Sequence, residues 1–323
     1  MVSRDTIDGK ESTDCTQRAA SVRRRTFLGS VAGGLALGAS GVAAAGGDGP
    51  GTGFPPPDIT TWGRTVNLGD GTARTFTSVT PAGEPRYHGV VLTRDALAGL
   101  PSAADLENAG DDAYTDKYGA NGEALVVHGK WSQEFFVPFP ATDATPFTFL
   151  GLNWNPGGHP PPGVYTVPHF DVHFHTLAPG TVDAITGPRP AGFELPGERI
   201  PAGYSRAPSP ETGTPLVITD MGEHLVDFSA PEFSGGEFAN TLIWGAFDVD
   251  GDGTGELTFV EPMVTRASLR DLGGLDRRAI PQPETFAREG PYPTAYSVRD
   301  LPDRDALAIT IEAFDPGGSA ARK

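Results

Sequence analysis

Short apolar runs separated by turn residues dominate the chain from Trp62 onward. They have the length of β-strands, and glycine and proline (43 and 31 residues) interrupt the chain so often that long helices have little room. The pattern predicts an all-β fold, a sandwich or barrel, with short helices at 93–100 and 265–272. The runs span residues 74–79, 88–92, 124–128, 147–152, 164–177, 215–219, 225–228, 242–247, 257–260 and 307–314.

Composition divides the chain into four parts. Three arginines at 23–25 precede a weakly apolar stretch rich in Gly and Ala, which ends in Ala43-Ala44-Ala45. This order is typical of a twin-arginine signal peptide. The alternative is a membrane-spanning N-terminus, which is less favoured because glycines interrupt the apolar stretch. We expect an exported, extracellular or cell-surface protein that meets the twin-arginine translocase during export. The predicted parts are a signal peptide (1–45), a Gly/Pro-rich disordered tether (46–60), a single β-rich domain (61–316) and a disordered tail (317–323).

Charge and cysteine content restrict the partners of the mature protein. The formal charge is −17, and only Lys117, Lys130 and Lys323 remain as lysines after the leader. Such a surface disfavours nucleic acid and anionic membranes, and it is typical of proteins adapted to high salt. The one cysteine, Cys15, lies within the leader, so no disulfide is expected. No later stretch is long and apolar enough to predict a transmembrane segment in the mature chain.

One segment, Pro168–His175 (PHFDVHFH), concentrates three of the seven histidines. Side chains two apart share a face of a strand, so the pattern predicts a polar face opposite Phe170, Val172 and Phe174. Same-face neighbours are ~6.6 Å apart along the strand, which lets two adjacent side chains reach one ion. The pair is Asp171 with His173, or His173 with His175, because His169 and His173 are ~13 Å apart unless a bulge intervenes. The predicted polar face consists of His169, Asp171, His173 and His175.

A third ligand has to come from outside this strand. His224 is the first choice, with Glu223 beside it, and His128 and His159 are secondary candidates. Three nitrogen or oxygen ligands with an open position suit zinc, or another divalent ion such as iron, manganese or nickel. The alternative is a structural cluster in which the histidines bond to one another and to Asp171.

A separate, acidic segment that begins at Asp248 resembles the start of an EF-hand calcium loop. Asp248, Asp250 and Asp252 occupy positions 1, 3 and 5 of such a loop, and Gly253 occupies position 6. Position 12 is Phe259 rather than glutamate, and the flanks predict strands. An acidic hairpin turn is therefore favoured over a weak calcium site.

The run LNWNPGGHPPPGVY at 152–165, followed by PHFDVHFH, resembles an exported prokaryotic family classed as domain of unknown function 5602. LGDGTARTF at 68–76, GVVLTRDALAGLP at 89–101, MGEH at 221–224 and FVEPMVT at 259–265 match in order. The resemblance implies a β-rich exported domain with no assigned reaction, and it makes a homo-oligomer an open expectation for this chain. The family often carries Tyr at the position of His175, which implies His169, Asp171, His173 and His224 as the shared polar set.

Three functions remain open from the sequence. The first is a metal-binding or metal-handling protein that uses His173 and His224. The second is a hydrolase-like or cupin-like metalloenzyme, in which Glu223 or Glu261 acts as general base. The third is a structural or stress-related homo-oligomer that holds no metal. The mature chain lacks the nucleophile elbow, the P-loop, the dinucleotide fingerprint and the H-E-x-x-H motif.

Overall fold

A computed structural model describes residues 53–109, 113–140, 143–209 and 211–315. Within them the protein is an all-β sandwich, as the sequence predicts, with a six-stranded and a nine-stranded sheet and one small two-stranded sheet. The predicted signal peptide and the predicted tail at 317–323 lie outside the described residues. In chain order the strands are β1 (Thr60–Leu68), β2 (Gly71–Val79), β3 (Pro85–Thr93), β4 (Thr115–Asp116), β5 (Gly122–Val127), β6 (Lys130–Pro138), β7 (Phe149–Asn155), β8 (His169–His175), β9 (Arg189–Pro190), β10 (Ser205–Arg206), β11 (Leu216–Val217), β12 (Glu223–Val226), β13 (Asn240–Phe247), β14 (Glu256–Thr265), β15 (Leu275–Ala279), β16 (Tyr292–Leu301) and β17 (Ala306–Asp315).

Both large sheets are antiparallel throughout. The six-stranded sheet has the order β1-β2-β3-β17-β16-β15, and the nine-stranded sheet has the order β10-β12-β13-β14-β8-β7-β6-β5-β4. Strand β8, which carries the histidine-rich segment, lies at the centre of the larger sheet between β14 and β7. Its side chains therefore have neighbours on both sides.

The helices are short. The helix predicted at 93–100 is a single 3-10 turn, Arg94–Leu97, and the one predicted at 265–272 is an α-helix, Arg266–Asp271, in which Thr265 caps the first turn by accepting from the Ser268 amide. In the described part of the chain, no helix has the length and apolar character needed to cross a membrane. The α-helices are α1 (Ala103–Glu107), α2 (Pro179–Asp183) and α3 (Arg266–Asp271), and further 3-10 turns are Pro57–Ile59, Gly197–Arg199, Pro231–Ser234 and Pro302–Arg304.

The main core lies between the two large sheets. Phe170, Val172 and Phe174 of β8 are fully buried there, and the ring of Phe139 stacks on Phe174 at a centroid distance of 5.8 Å. Burying each such apolar side chain stabilises the fold by about 1.5–3 kcal/mol. The two-residue period of β8 therefore turns its other face, with the histidines and Asp171, away from the six-stranded sheet.

Part of the predicted tether is packed against the six-stranded sheet. Phe54 is buried and makes edge contacts with Phe76 and Tyr87, and the Arg299 guanidinium lies 4.2 Å from the centre of its ring. Strand β1 then begins at Thr60. Gly/Pro-rich composition predicts little apolar burial, but a single phenylalanine supplies the contact that orders this end of the segment.

Candidate metal centre

The polar face of β8 is buried. His169, Asp171, His173 and His175 are each at most 1% exposed, because loops cover this face of the nine-stranded sheet. Residues 156–168 form one of these loops, which folds back at Gly158. Gly158 has a φ of +63°, and a Cβ there would lie 2.1 Å from the Tyr165 carbonyl oxygen, so only glycine fits.

The loop brings His159 onto β8, where it completes a first triad with His169 and Asp171. The His159 Nε2 lies 3.3 Å from Asp171 Oδ2, and the His169 Nε2 lies 3.0 Å from Asp171 Oδ1. One potential ligand atom from each residue falls within 4.8 Å of the other two. The three residues therefore have the separation needed to hold one metal ion.

Hydrogen bonds to the backbone orient both histidines of this triad. The Nδ1 of His159 bonds to the Pro160 carbonyl at 2.8 Å, and the Nδ1 of His169 bonds to the Val167 carbonyl at 2.7 Å. A carbonyl only accepts, so each Nδ1 carries a hydrogen and Nε2 is the ring atom that faces Asp171. His169 Nε2 and Asp171 Oδ1 have no hydrogen-bond partner of their own. Two ring nitrogens and a carboxylate thus converge, which is the ligand set of many metal sites.

Asn155 and the local charges hold Asp171 ionised. The Asn155 Nδ2 donates to Asp171 Oδ2 at 2.7 Å. Burial opposes the charge of Asp171, but His169 and His159 outweigh it and hold its pKa well below its usual range. Burial also opposes protonation of His159, yet Asp171 outweighs burial and raises the pKa of His159. A carboxylate ligand is therefore ready at neutral pH, and His159 has a proton to lose.

A second triad joins three different strands, β8, β12 and β14. Phe259 pairs with His175 and Met263 with Asp171, so Glu261 of β14 lies level with His173. The His173 Nε2 lies 3.4 Å from one Glu261 oxygen, and the Nε2 of His224 on β12 lies 3.8 Å from the other. The ligand atoms of this group also lie within 4.8 Å of one another.

A backbone hydrogen bond orients a histidine of the second triad, as in the first. His173 hydrogen-bonds to the Gly151 backbone, and since its Nε2 has no partner, the bond comes from Nδ1 and the Gly151 carbonyl accepts it. Burial lowers the pKa of His173 to about 4 and that of His224 to about 3. Burial, together with Asp171, raises the pKa of Glu261 well above its usual range. Both histidines are thus neutral and able to bind a metal, whereas Glu261 must first lose a proton.

His128 lies between the triads at the surface. Its ring stacks on His159 at 4.6 Å between centroids and meets His224 edge-on at 5.3 Å. It is half-buried, and the side chain of His224 is 15% exposed, so solvent reaches this end of the site. Burial and the neighbouring His159 and His224 hold the pKa of His128 well below its usual range. His128 contacts both triads but belongs to neither group of converging ligand atoms.

Two further sequence candidates, besides His128, lie outside both triads. His175 stacks on Phe149 at 4.5 Å and on His173 at 5.5 Å between centroids, and it belongs to neither group of converging ligand atoms. Glu223 points to the other side of β12 from His224, and Arg206 holds both of its carboxylate oxygens. Adjacent residues on a strand face opposite ways, which separates Glu223 from its neighbour.

A buried lysine cluster on the same sheet face is missed by the sequence reasoning. Lys117 forms an ion pair with Asp220, and its Nζ lies 3.1 Å from Asp183 and 3.4 Å from Glu134. Burial and the nearby Asp220 raise the pKa of Glu134 to about 8, although Lys117 opposes the shift. The carboxylates come from distant parts of the chain, so no local motif predicts the cluster. The only signal in the sequence is that lysine is rare in it.

The acidic segment at 248–254 is a hairpin turn between β13 and β14. The Asp248 carboxylate accepts hydrogen bonds from the amides of Gly251, Asp252 and Gly253, at 2.9, 3.2 and 3.0 Å. Asp250 is exposed. Among the described residues, these acids do not form a converging ligand group, whereas the two triads do.

Comparison with known protein families, with curated proteins and with solved structures finds no match to this chain.

Proposed function

We propose that this is a metal-binding or metal-handling protein whose buried triads each take a divalent ion, with zinc the best match. The observation that carries the proposal is the convergence of His159 and His169 on Asp171. Both rings donate Nδ1–H to backbone carbonyls, so the Nε2 atom of each ring faces the carboxylate of Asp171. Imidazole and carboxylate ligands suit zinc, and histidine ligands commonly have such a second hydrogen bond.

In the proposed arrangement, His159, His169 and Asp171 hold one ion, and His173, His224 and Glu261 hold the other. Three protein ligands would leave a position open for water or for a small ligand. An ion held in this way would supply Lewis-acid chemistry, including a lower pKa for a bound water. Asn155 and the carbonyls of Pro160, Val167 and Gly151 would orient the ligands.

Metal binding is favoured over hydrolysis because the candidate bases are engaged. Arg206 holds Glu223, and Glu261 lies among the ligand atoms of the second triad. Neither carboxylate is free to take a proton from a metal-bound water. Export by the twin-arginine route, expected from the leader, fits this proposal because a folded, metal-loaded protein can use it.

Elemental analysis of the purified, zinc-reloaded chain tests the proposal. We expect one equivalent per triad in the wild type, loss of one equivalent in Asp171→Asn and loss of the other in Glu261→Gln. Glu134→Gln is the matched control, since it also converts a buried carboxylate on this sheet face to an amide, and it should keep both equivalents.

A folded wild-type protein that cannot be loaded with zinc, manganese, iron or nickel would reject the proposal. The histidines would then form a structural cluster. Full metal retention in both triad variants would also contradict it, because the ions would then be bound elsewhere.

A further inference from the structure

The buried lysine cluster brings one amine together with two buried carboxyl groups. Lys117 follows β4, Glu134 lies on β6, and Asp220 lies in the turn between β11 and β12. Lys117 is only 8% exposed, whereas Lys130 of β6 is exposed. A lysine is rarely buried unless it is paired, and both ions of a buried pair lose their hydration. A reaction that removes both charges would relieve that cost.

Asp220 is the carboxylate best placed to react with this amine. Its Oδ2 accepts a hydrogen bond from Lys117 Nζ, and its side chain is 2% exposed. Asp183 is also near, with 3.1 Å between its Oδ1 and Nζ, but its side chain is 40% exposed. Water stabilises an ionised carboxylate, and an amine attacks a carboxyl group readily only in its neutral form. The buried Asp220 therefore meets the requirement better than Asp183 does.

Glu134 is placed to move the protons that such a reaction needs. Its side chain is 1% exposed, and its Oε2 lies 3.4 Å from Lys117 Nζ. Its carboxyl group also hydrogen-bonds to that of Asp220, which requires a proton on one of them because a carboxylate only accepts. Burial and Asp220 raise the pKa of Glu134 to about 8, although Lys117 opposes the shift. Glu134 therefore holds this proton at neutral pH.

The proton of the amine has to stay within the cluster. Burial opposes the charge of Lys117, but Glu134 and Asp220 outweigh burial and raise the pKa of Lys117. The ring of Phe136, with its centre 5.1 Å from Nζ, covers part of the ammonium. Direct transfer to a neighbouring carboxylate is thus the route to a neutral amine.

We propose that Lys117 and Asp220 join in an amide bond between their side chains once the chain has folded, with Glu134 transferring the protons. The Lys117 ammonium gives one proton to the Asp220 carboxylate, and the nitrogen lone pair then attacks Cγ of Asp220 to form the C–N bond. Glu134 donates its proton to the departing hydroxyl and takes one from the nitrogen. One ammonium and one carboxylate thus become one amide and one water, and Glu134 is regenerated.

Mass spectrometry of the intact, purified chain tests the proposal. The folded wild type should weigh one water less than its sequence, and digestion should release a branched peptide that joins Lys117 to Asp220. Lys117→Arg keeps the charge but removes the amine, so it should have its full mass. Asp220→Gly, which suits the φ of +61° at this position, should also have its full mass. Lys130→Arg changes the exposed lysine instead and should still lose one water.

Glu134→Gln separates proton transfer from proximity. It leaves both reacting side chains in place but cannot pass a proton between them, so the folded variant should keep its full mass. Asp183→Asn changes the exposed neighbour and should still lose one water. Glu134→Gln is also expected to keep both metal equivalents, so the metal proposal and this one fail separately.

Electrophoresis of the denatured chains gives a second measurement that does not depend on how a variant folds. The bond closes a loop between residues 103 positions apart, so the denatured wild type should migrate faster than Lys117→Arg. The proposal is overturned by a folded wild type of full mass, or by a branched peptide that joins other residues. It is also overturned if Glu134→Gln loses water as readily as the wild type, or if Asp183→Asn does not lose it.

Discussion

At the scale of single residues, the bond made by one imidazole nitrogen determines what the other can do. In His159, His169 and His173 the Nδ1 is engaged with a backbone carbonyl, which leaves Nε2 to face a carboxylate. His175 lies on the same strand face, yet it packs against the aromatic rings of Phe149 and Phe259. Residue type and strand face alone therefore do not make a histidine a ligand. The backbone groups around each ring determine which nitrogen is free to bind.

Asn155 should affect metal binding without being a ligand. Its side chain donates to Asp171, so Asn155→Ala should weaken binding at the first triad about 10–100-fold, the usual effect of losing an outer-shell partner. Competition with a chromogenic chelator measures this affinity. Asn153→Ala is the control, since Asn153 lies two residues earlier on the same face of β7 but bonds to Glu134. Equal effects of both variants would contradict the assigned role.

Metal binding should release protons near neutral pH. The pKa of His159 is raised by Asp171 against burial, and burial raises the pKa of Glu261, so both groups hold protons that a metal must displace. Affinity should therefore fall as pH falls below neutrality. The lowered pKa values of His173 and His224 mean that those rings contribute little competition until about pH 4.

Calorimetry at pH 7 in buffers of different ionisation enthalpy counts the released protons. In Asp171→Asn and Glu261→Gln the count should drop together with the ion that each variant loses. A binding enthalpy that does not depend on the buffer would contradict the prediction.

At the scale of elements, the larger sheet assembles the second triad across strands that are far apart in sequence. His224 of β12 reaches Glu261 of β14 over the intervening β13, where Gly245 leaves room for the ring of Phe259. That ring contacts both His173 and His224 edge-on, at 5.0 and 5.5 Å between centroids. The glycine therefore helps to shape the triad without contacting a ligand atom.

Gly245→Ala should disturb the second triad and spare the first. The added Cβ would lie 1.9 Å from the Phe259 ring, so this ring, which contacts His173 and His224, must move, and overpacking of this kind costs about 1–3 kcal/mol of stability. Denaturant unfolding and zinc stoichiometry measure the two effects. Gly273→Ala, where a Cβ meets nothing within 4 Å, is the control and should change neither quantity. Loss of metal from the first triad alone would refute this assignment.

At the scale of the whole molecule, the segment before β1 closes the outer side of the six-stranded sheet. Phe54 fills a cluster with Phe76 and Tyr87, whereas the similar side chain of Phe228 is 45% exposed. Phe54→Ala should lower the free energy of unfolding by about 3 kcal/mol or more, and Phe228→Ala should change it little. Urea unfolding compares them. Similar small changes in both variants would show that the segment contributes no packing energy.

Most of the fold could be predicted from the sequence, because strands and turns depend on patterns among neighbouring residues. Alternation along β8 separates Phe170, Val172 and Phe174 from the histidines, and the all-β prediction is confirmed by the two large sheets. The turn between β13 and β14 follows from Asp248 and its glycines. Each of these features is set by neighbours within a few residues, so the chain specifies them without reference to distant segments.

The grouping of the candidate ligands was decided by tertiary structure. Neither of the two expected pairs, Asp171 with His173 or His173 with His175, shares a triad, because sheet order places Glu261 beside His173 and a returning loop places His159 beside Asp171. The hydrogen-bonded ion pair with Arg206 holds Glu223 away from both triads. Strand order, register and loop path bring residues dozens of positions apart to within a few ångströms, and no local pattern encodes those distances. The sequence by itself determined an all-β protein with a strand that gathers its histidines on one face, and only the packed sheets buried that face and determined which side chains could share an ion.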